Sequence, residues 1–236
     1  MTARADGLTL GLDTSGVVAA GLARGTEVLA SRSHDDTRAH VEQLTPLVQT
    51  LLEEAGAGWD DLTRVVVGIG PGPFTGLRVG IASAEVLALA LGLPCTGVCS
   101  LDVLALQAVR AEAVTGDFVV VTDARRREVY RATYAADGTR TSGPEVGPAA
   151  QVPALPVVGP GAHLDAELAD RSVAAVGSLD AGVLAAGVDL LPDAGLEPLY
   201  LRRPDATVPG RPKSTLVTPA PRLRVRPASG RRGSGA

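Results

Sequence analysis

Hydrophobic and polar positions alternate in blocks along this chain, and each change of pattern marks an element. The apolar run Leu8–Leu12 ends in Asp13-Thr14-Ser15-Gly16, which reads as a strand followed by a turn. Val17–Ala23 and Glu27–Ser33 read as two more strands joined by Arg24-Gly25-Thr26, a meander of the kind that opens an α/β lobe. From His40 to Ala55 the period changes. Val41, Leu44, Val48, Leu51 and Ala55 recur at three- and four-residue steps and predict a helix. Pro46 sits inside it, so either the helix kinks there or Thr45 caps a second helix with Pro46 in its first turn. Arg64–Ile69 is an apolar run, expected as a central strand covered on both faces.

A turn through Gly70-Pro71-Gly72-Pro73-Phe74-Thr75-Gly76 then leads into a helix over Leu77–Leu91. A short strand (Cys95–Val98) and a helix (Leu101–Ala113) follow. From Phe118 the pattern is that of a hairpin: FVVVTD as one strand, ARRR as the turn, and EVYRATY as an alternating strand. Further strands are expected near Thr139–Val146 and Pro156–Val158, with a helix across Ser178–Leu190. Strands and helices alternate in both halves, so the class is α/β with two lobes, 1–114 and 115–205, and a tail at 206–236. The Leu77–Leu91 helix carries only Arg78 and Glu85 as charges, so it is apolar nearly all round. Gly76, Gly80, Ala84 and Ala88 form a small-residue ridge along it. That ridge fits a helix sandwiched in the core, and equally a helix with one face on the sheet and another on a partner protein.

Composition narrows the choice. With 236 residues and 45% hydrophobic side chains the chain has enough apolar surface for a substantial core, and disorder throughout is excluded. Aromatics at 3% argue against base-stacking platforms. Cys95 and Cys99, spaced C-x3-C, make neither a redox motif nor a zinc knuckle and read as core thiols in a reducing cytoplasm. The start, MTARADGLTLGL, shows no apolar run of signal-peptide length. Charge is segregated: residues 202–236 carry nine basic side chains and one acid, while the rest carries 13 basic and 25 acidic groups. The body is therefore an acidic globule that is not expected to grip nucleic acid by itself, and the tail is a Pro/Gly/Arg-rich segment expected to be flexible.

Candidate chemistry is sparse. The Gly70–Gly76 loop resembles a phosphate cradle at a helix N-terminus, but it lacks the lysine and Ser/Thr of a P-loop, and Thr75 stands where a dinucleotide fingerprint has its third glycine. His34, His40 and His163 have no metal-binding spacing, and no G-x-S-x-G elbow is present. Asp13 and Asp123 follow strands, where a two-lobed phosphotransferase would hold metal and phosphate and where turn-forming aspartates are also common.

Three segments carry a resemblance: VVVGIGPGPFTGLRVGIASAEVLALALGLP, DARRREVY (Asp123–Tyr130) and PLYLRRPDA (Pro198–Ala206). Together, over residues 8 to about 206, they resemble the TsaB (YeaZ) family, the dimerisation subunit of the bacterial machinery that makes threonylcarbamoyladenosine in tRNA. The resemblance implies an actin-like, sugar-kinase-like two-lobed fold. It also implies a cytoplasmic scaffold that pairs with the catalytic paralogue TsaD, works with the ATPase TsaE, forms a homodimer in isolation, and meets tRNA only through the complex, with no membrane.

The HxxxH metal site of TsaD falls here at Cys99–Leu104, where the ligand positions are Ser100 and Leu104, and a leucine binds no metal. The resemblance therefore implies a pseudo-enzyme with no metal and no cofactor in the isolated chain, ATP or ADP belonging to the assembled complex. Asp13, Gly70, Gly72, Thr75 and Asp123 are then a vestigial nucleotide site. Val41, Leu44, Leu47, Val48, Leu51, Gly76, Arg78, Gly80, Ala84 and Ala88 are the expected partner surface. The alternatives are a stand-alone ATP-dependent phosphotransferase of the same fold and a peptidase-like relative.

Overall fold

The protein's structure, a computed structural model, describes residues 7–34, 40–173 and 176–202, with side chains for all of these except 40–43. The basic segment 206–236 and the side chain of Val41 lie outside the described residues. Strand β1 (Leu8–Asp13) alternates large and small: Leu8, Leu10 and Leu12 enter one core, and Gly11 faces the opposite side. Strand β2 (Val18–Arg24) repeats the device, with Val18, Ala20 and Leu22 in the leucine core and Ala19, Gly21 and Ala23 on the other face. With β3 (Glu27–His34), β4 (Leu62–Gly68) and β5 (Cys95–Val98) they form a five-stranded sheet in the order β3-β2-β1-β4-β5. The meander β1–β2–β3 is antiparallel, and β1, β4 and β5 run parallel.

Helices α1 (His40–Glu54) and α2 (Phe74–Leu91) cover the leucine face through Leu44, Val48, Leu51, Leu77, Ile81, Ala84 and Ala88. Helix α1 runs unbroken through Pro46, and Thr50 Oγ1 donates to the Pro46 carbonyl at 3.0 Å, so Thr45 caps no second helix. Helix α2 starts three residues before the expected Leu77, because Pro73 supplies its N-cap and accepts from the Leu77 amide at 3.0 Å. It stops at Gly92, whose φ of 66° suits glycine.

The small-residue face is covered by α3 (Ser100–Arg110) and by α5 (Ala181–Gly187), which is shorter than the Ser178–Leu190 span that periodicity suggests. Asp180 sets the α5 start by accepting from the Gly182 amide at 2.7 Å. The approach of α5 is close: a Cβ on Gly11 would lie 2.2 Å from the Ala181 carbonyl oxygen, and one on Gly21 would lie 2.1 Å from the Gly182 nitrogen. Gly11 and Gly21 are cross-strand partners, so the two together open one seat for the helix.

A second sheet, in the order β8-β7-β6-β9, comprises β6 (Phe118–Asp123), β7 (Glu128–Tyr134), β8 (Arg140–Pro148) and β9 (Val157–Val158). Phe118, Val120, Ala132 and Tyr134 share one core with α3 and α5, while Val119 and Val121 enter a smaller core with Leu168 of α4 (Ala166–Asp170). Helix α3 thus joins the two sheets. Under it the Tyr134 hydroxyl donates to Asp102 at 2.7 Å, and the Phe118 and Tyr134 rings stack at 5.5 Å.

The last described segment straps the sheets together. The Ala194 amide donates to the Gly97 carbonyl (2.8 Å) and the Leu199 amide to that of Ile69 (2.9 Å), both in the first sheet region. Arg202 Nη1 then donates to the Ala124 carbonyl (3.0 Å), beyond the end of β6.

Candidate functional site

A cleft of about 300 Å³ opens at the ends of β1 and β6. Asp13 and Ser15 form one wall, Ser100 and Leu104 of α3 the floor, and Thr122, Asp123 and Arg125 the facing wall, with His163 at the rim. The structure thus brings Asp13 and Asp123, the two expected strand-end carboxylates, into one cleft. It also places Ser100 and Leu104 on one face of α3, lining the same space.

Asp13 is 1% exposed and its carboxylate is fully engaged by the protein. Oδ1 accepts from the Ser15 amide (2.7 Å) and hydroxyl (2.6 Å), and Oδ2 accepts from Ser100 Oγ at 2.6 Å. Ser100 Oγ in turn accepts from the Gly70 amide at 3.1 Å. Room for the carboxylate comes from Gly68, where a Cβ would collide with Asp13 Oδ2 at 1.7 Å. The site aspartate is therefore bonded into the frame that joins β1, the glycine loop and α3.

The glycine loop closes on its own chain. A Cβ on Gly72 would sit 2.5 Å from the Ser15 carbonyl oxygen, and Thr14 Oγ1 donates to the Gly76 carbonyl at 2.7 Å. Gly70 and Gly72 are buried behind the cleft wall and Thr75 is exposed in the first turn of α2, while Pro71 and Pro73 line the cleft. Of the five residues expected at a nucleotide site, then, only Asp13 and Asp123 line it. The correction has a physical reason: Gly72 lets two backbone turns touch at Ser15, and the Gly70 amide is already spent on Ser100 Oγ.

Burial pushes the Asp13 carboxyl above its usual range, against the opposing effect of the Ser100 and Ser15 hydrogen bonds. Burial raises Asp102 as well, opposed by the Tyr134 hydroxyl and by Arg140. A raised carboxyl in the folded state contributes stability that is present below the unfolded value of 3.8 and lost as pH rises through the folded one. Asp13→Asn should therefore gain stability relative to the parent as pH rises from about 4 toward neutrality. Urea midpoints of both proteins across that range check it, and parallel curves would count against it. Cys95 and Cys99 are pushed up to about 11, chiefly by burial, so both are thiols at neutral pH and neither is a ready nucleophile.

The expected partner surface needs a larger correction. Gly76, Gly80, Ala84 and Ala88 face the protein's own sheet; a Cβ on Gly80 would lie 2.1 Å from Thr14 Oγ1, and Ala84 is 0% exposed. Leu44, Val48 and Leu51 are buried in the same core, and Leu47 is half-buried beside it. A carboxylate at Val48 or Ala84 would be buried without a partner, so neither position is a surface contact. The outer face of α2 carries different residues: Ala82, Glu85, Val86, Leu89 and Ala90 are exposed, Val86 at 66% and Leu89 at 83%. Arg78 does lie outside. Its guanidinium rests 4.0 Å from the Phe74 ring centre and donates to the Tyr200 hydroxyl at 3.0 Å, while Phe74 and Tyr200 stack at 4.9 Å.

Between β6 and β7 the chain turns through Arg125, Arg126 and Arg127, with φ values of 64°, 56° and 64°. The left-handed region costs a residue with a Cβ on the order of 1 kcal/mol or more. Asp123 holds the turn by accepting from the Arg125 amide at 2.6 Å and pairing with its guanidinium at 3.1 Å. Arg202 fastens the other side, through the Ala124 carbonyl and an ion pair with Glu128. Sequence reasoning missed both Arg202 and Tyr200 as site-forming residues; their signal was the segment Pro198–Ala206, quoted for resemblance without a role.

Comparison with known proteins bears on the whole. Residues 27–181 match the family model described as TsaD, tRNA N6-adenosine threonylcarbamoyltransferase. An uncharacterized protein of Mycobacterium tuberculosis is 49% identical over 203 residues, covering 84% of this chain and 92% of that one. The tRNA threonylcarbamoyladenosine biosynthesis protein TsaB of Escherichia coli is 40% identical over 100 residues, covering 42% of this chain and 43% of that protein. In structure, YeaZ from Pseudomonas aeruginosa superposes with a TM-score of 0.67 at 27% identity, over 83% of this chain and 100% of that one.

Proposed function

This chain belongs to the TsaB (YeaZ) family, with its actin-like α/β fold, and from that premise we propose that it is the non-catalytic pairing subunit of a tRNA threonylcarbamoylation complex, docked on a catalytic paralogue of the TsaD kind. The observation that carries this reading is the outer face of α2. Val86 and Leu89 stand in solvent on a helix whose other face is already used by the sheet. Large exposed aliphatic residues next to one another on a helix mark a contact surface. Helix α2 is also the one described helix long and apolar enough to cross a membrane, and its inner face packed on the sheet supports the protein-partner reading instead.

The non-catalytic part of the reading is supported by what the cleft offers. Asp13 spends both oxygens on Ser15 and Ser100, and the position at Leu104 presents hydrocarbon. ATP and the ATPase partner TsaE belong, in this reading, to the assembled complex, with tRNA reached through it in the cytoplasm; a homodimer through the same α2 face is the resting form.

The test is reconstitution of tRNA threonylcarbamoylation from the purified paralogue, the ATPase and a supplied carbamoyl-adenylate, with and without this chain. Modification that needs the chain, while the chain alone neither modifies tRNA nor hydrolyses ATP, is the expected result. Equal modification without it overturns the reading. A second reading, a stand-alone phosphotransferase, is favoured only by the meeting of Asp13 and Asp123 in one cleft. It requires ATP to raise the melting temperature of the isolated chain, since ligand at 100 times its Kd stabilises by about 2.7 kcal/mol.

A further inference from the structure

Strand β7 lies between β8 and β6, and its side chains divide between the two faces of the sheet. Ala132 and Tyr134 enter the core shared with α3, while Val129 enters the smaller core on the opposite face. Arg131 shares the Val129 face, and its side chain is only 13% exposed. Nη2 donates to Oε2 of Glu145, its cross-strand neighbour, at 2.9 Å. Nη1 differs: it is buried, and no group among the described residues accepts from it. A guanidinium donor taken out of water without an acceptor is costly, because nothing replaces the lost hydration.

The fold keeps space beside that nitrogen. Arg131 opposes Glu145 while Thr133 opposes Ser142, so two steps along β7 meet three along β8. This bulge passes through Gly143, at a φ of 85°, and opens a pocket of about 100 Å³ lined by Arg131, Thr133, Ser142, Glu145, Gln151 and Pro153. Gly147 keeps the guanidinium clear on another side, since a Cβ there would lie 3.0 Å from Nη1 and 2.8 Å from Gln151 Oε1. The pocket shares no lining residue with the cleft between Asp13 and Asp123. Behind its Pro153 wall stands Arg171, whose guanidinium donates to the carbonyls of Pro153, Leu155 and Glu167. Two guanidiniums and one carboxylate are thus bonded at the walls, a balance of one positive charge.

We propose that this pocket binds a small monocarboxylate, with Arg131 Nη1 donating to one of its oxygens. The planar guanidinium is suited to a carboxylate, and a half-turn of the Gln151 amide offers an N–H to the second oxygen. Space equal to the share of about three waters in the liquid limits the bound head to a few non-hydrogen atoms. Glu145 sets the charge of the ligand. Its carboxylate on the neighbouring nitrogen repels a doubly charged phosphate more than a singly charged acid. The site is independent of the pairing role proposed above.

The experiment titrates the full chain with sodium acetate, ionic strength held constant with sodium chloride, and follows backbone amide shifts by NMR. Saturable shifts at Arg131, Gly147 and Gln151 are expected, with a Kd on the order of 1 mM, a range open to a ligand of four non-hydrogen atoms. Arg131→Lys keeps the charge and loses the fork, so its affinity should fall about tenfold or more. Glu145→Gln changes a half-exposed side chain, leaves the fold intact and should raise acetate affinity about fivefold by removing a like charge. N-acetylglycine separates two sources of the carboxylate: tighter binding than acetate assigns the site to a chain terminus, and equal binding to a free acid. Shifts that grow without saturating overturn the proposal, since the pocket then holds only water. Full affinity in Arg131→Lys, unchanged affinity in Glu145→Gln, or tighter binding of inorganic phosphate than of acetate overturns it as well.

Discussion

Val86→Asp combined with Leu89→Asp is expected to leave the chain folded and, on the pairing role proposed above, to weaken association with a TsaD-type paralogue by at least about 100-fold. Both side chains stand in solvent on the outer face of α2, so the separated protein should melt within a degree or two of the parent. In the complex the two carboxylates are buried without partners, at a cost of about 3 kcal/mol or more, and each 1.4 kcal/mol is about tenfold in affinity. Co-elution and titration calorimetry with the paralogue read the effect, and undiminished binding by a folded variant would remove α2 from the interface. A contrast on the same helix isolates the cause. Ala84→Glu, only two residues before Val86 but on the sheet side and 0% exposed, should fail by unfolding and not by loss of pairing.

The largest effect on stability belongs to the seat of α5. Gly21→Val should lower stability by about 3 kcal/mol or more, since overpacking a well-filled contact costs 1–3 kcal/mol and this one meets backbone that cannot rotate away. Its Cβ would fall 2.1 Å from the Gly182 nitrogen, and the opposed Gly11 leaves no slack, being 2.2 Å from the Ala181 carbonyl oxygen. In a chain of this size a loss of that order corresponds to roughly 10 °C in melting temperature. Gly16→Ala is the control: nothing lies within 4 Å of its Cβ position, so it should melt with the parent. Equal melting of the two variants would mean that α5 does not sit on β1 and β2 as described.

How much of this was legible in the sequence depends on the range over which each feature is encoded. The strands β1 to β9 and helices α1 to α3 follow from local periodicity, and their boundaries moved by only a few residues, as when Pro73 and not Gly76 set the start of α2. Helix α4 and the 3-10 turn at Pro160–Leu164 were not foreseen, because five residues hold too little periodicity. The ridge Gly76–Gly80–Ala84–Ala88 was correctly seen as one face, but spacing states which residues share a face and not what that face meets. Thr14, which fills the space above Gly80, lies 66 residues earlier. For the same reason Asp13 and Asp123 were legible as strand ends, while the hydrogen bond from Tyr134 to Asp102 and the fastening of Ala124 by Arg202 were not.

The glycine seat on β1 and β2 also sets a timetable for synthesis. Gly11 and Gly21 leave the ribosome early, yet the helix that covers them begins at Ala181. At about 5 to 20 residues per second, that face of the first sheet waits on the order of ten to thirty seconds for its lid. Over that interval the core around Ala19, Ala23 and Val66 has α3 to pack on but not α5, and the strap that ties Ile69 to Leu199 arrives later still. The nascent chain is thus a half-covered sheet for most of its birth, and the growing polypeptide is a client for whatever shields bare apolar surface at the ribosome exit.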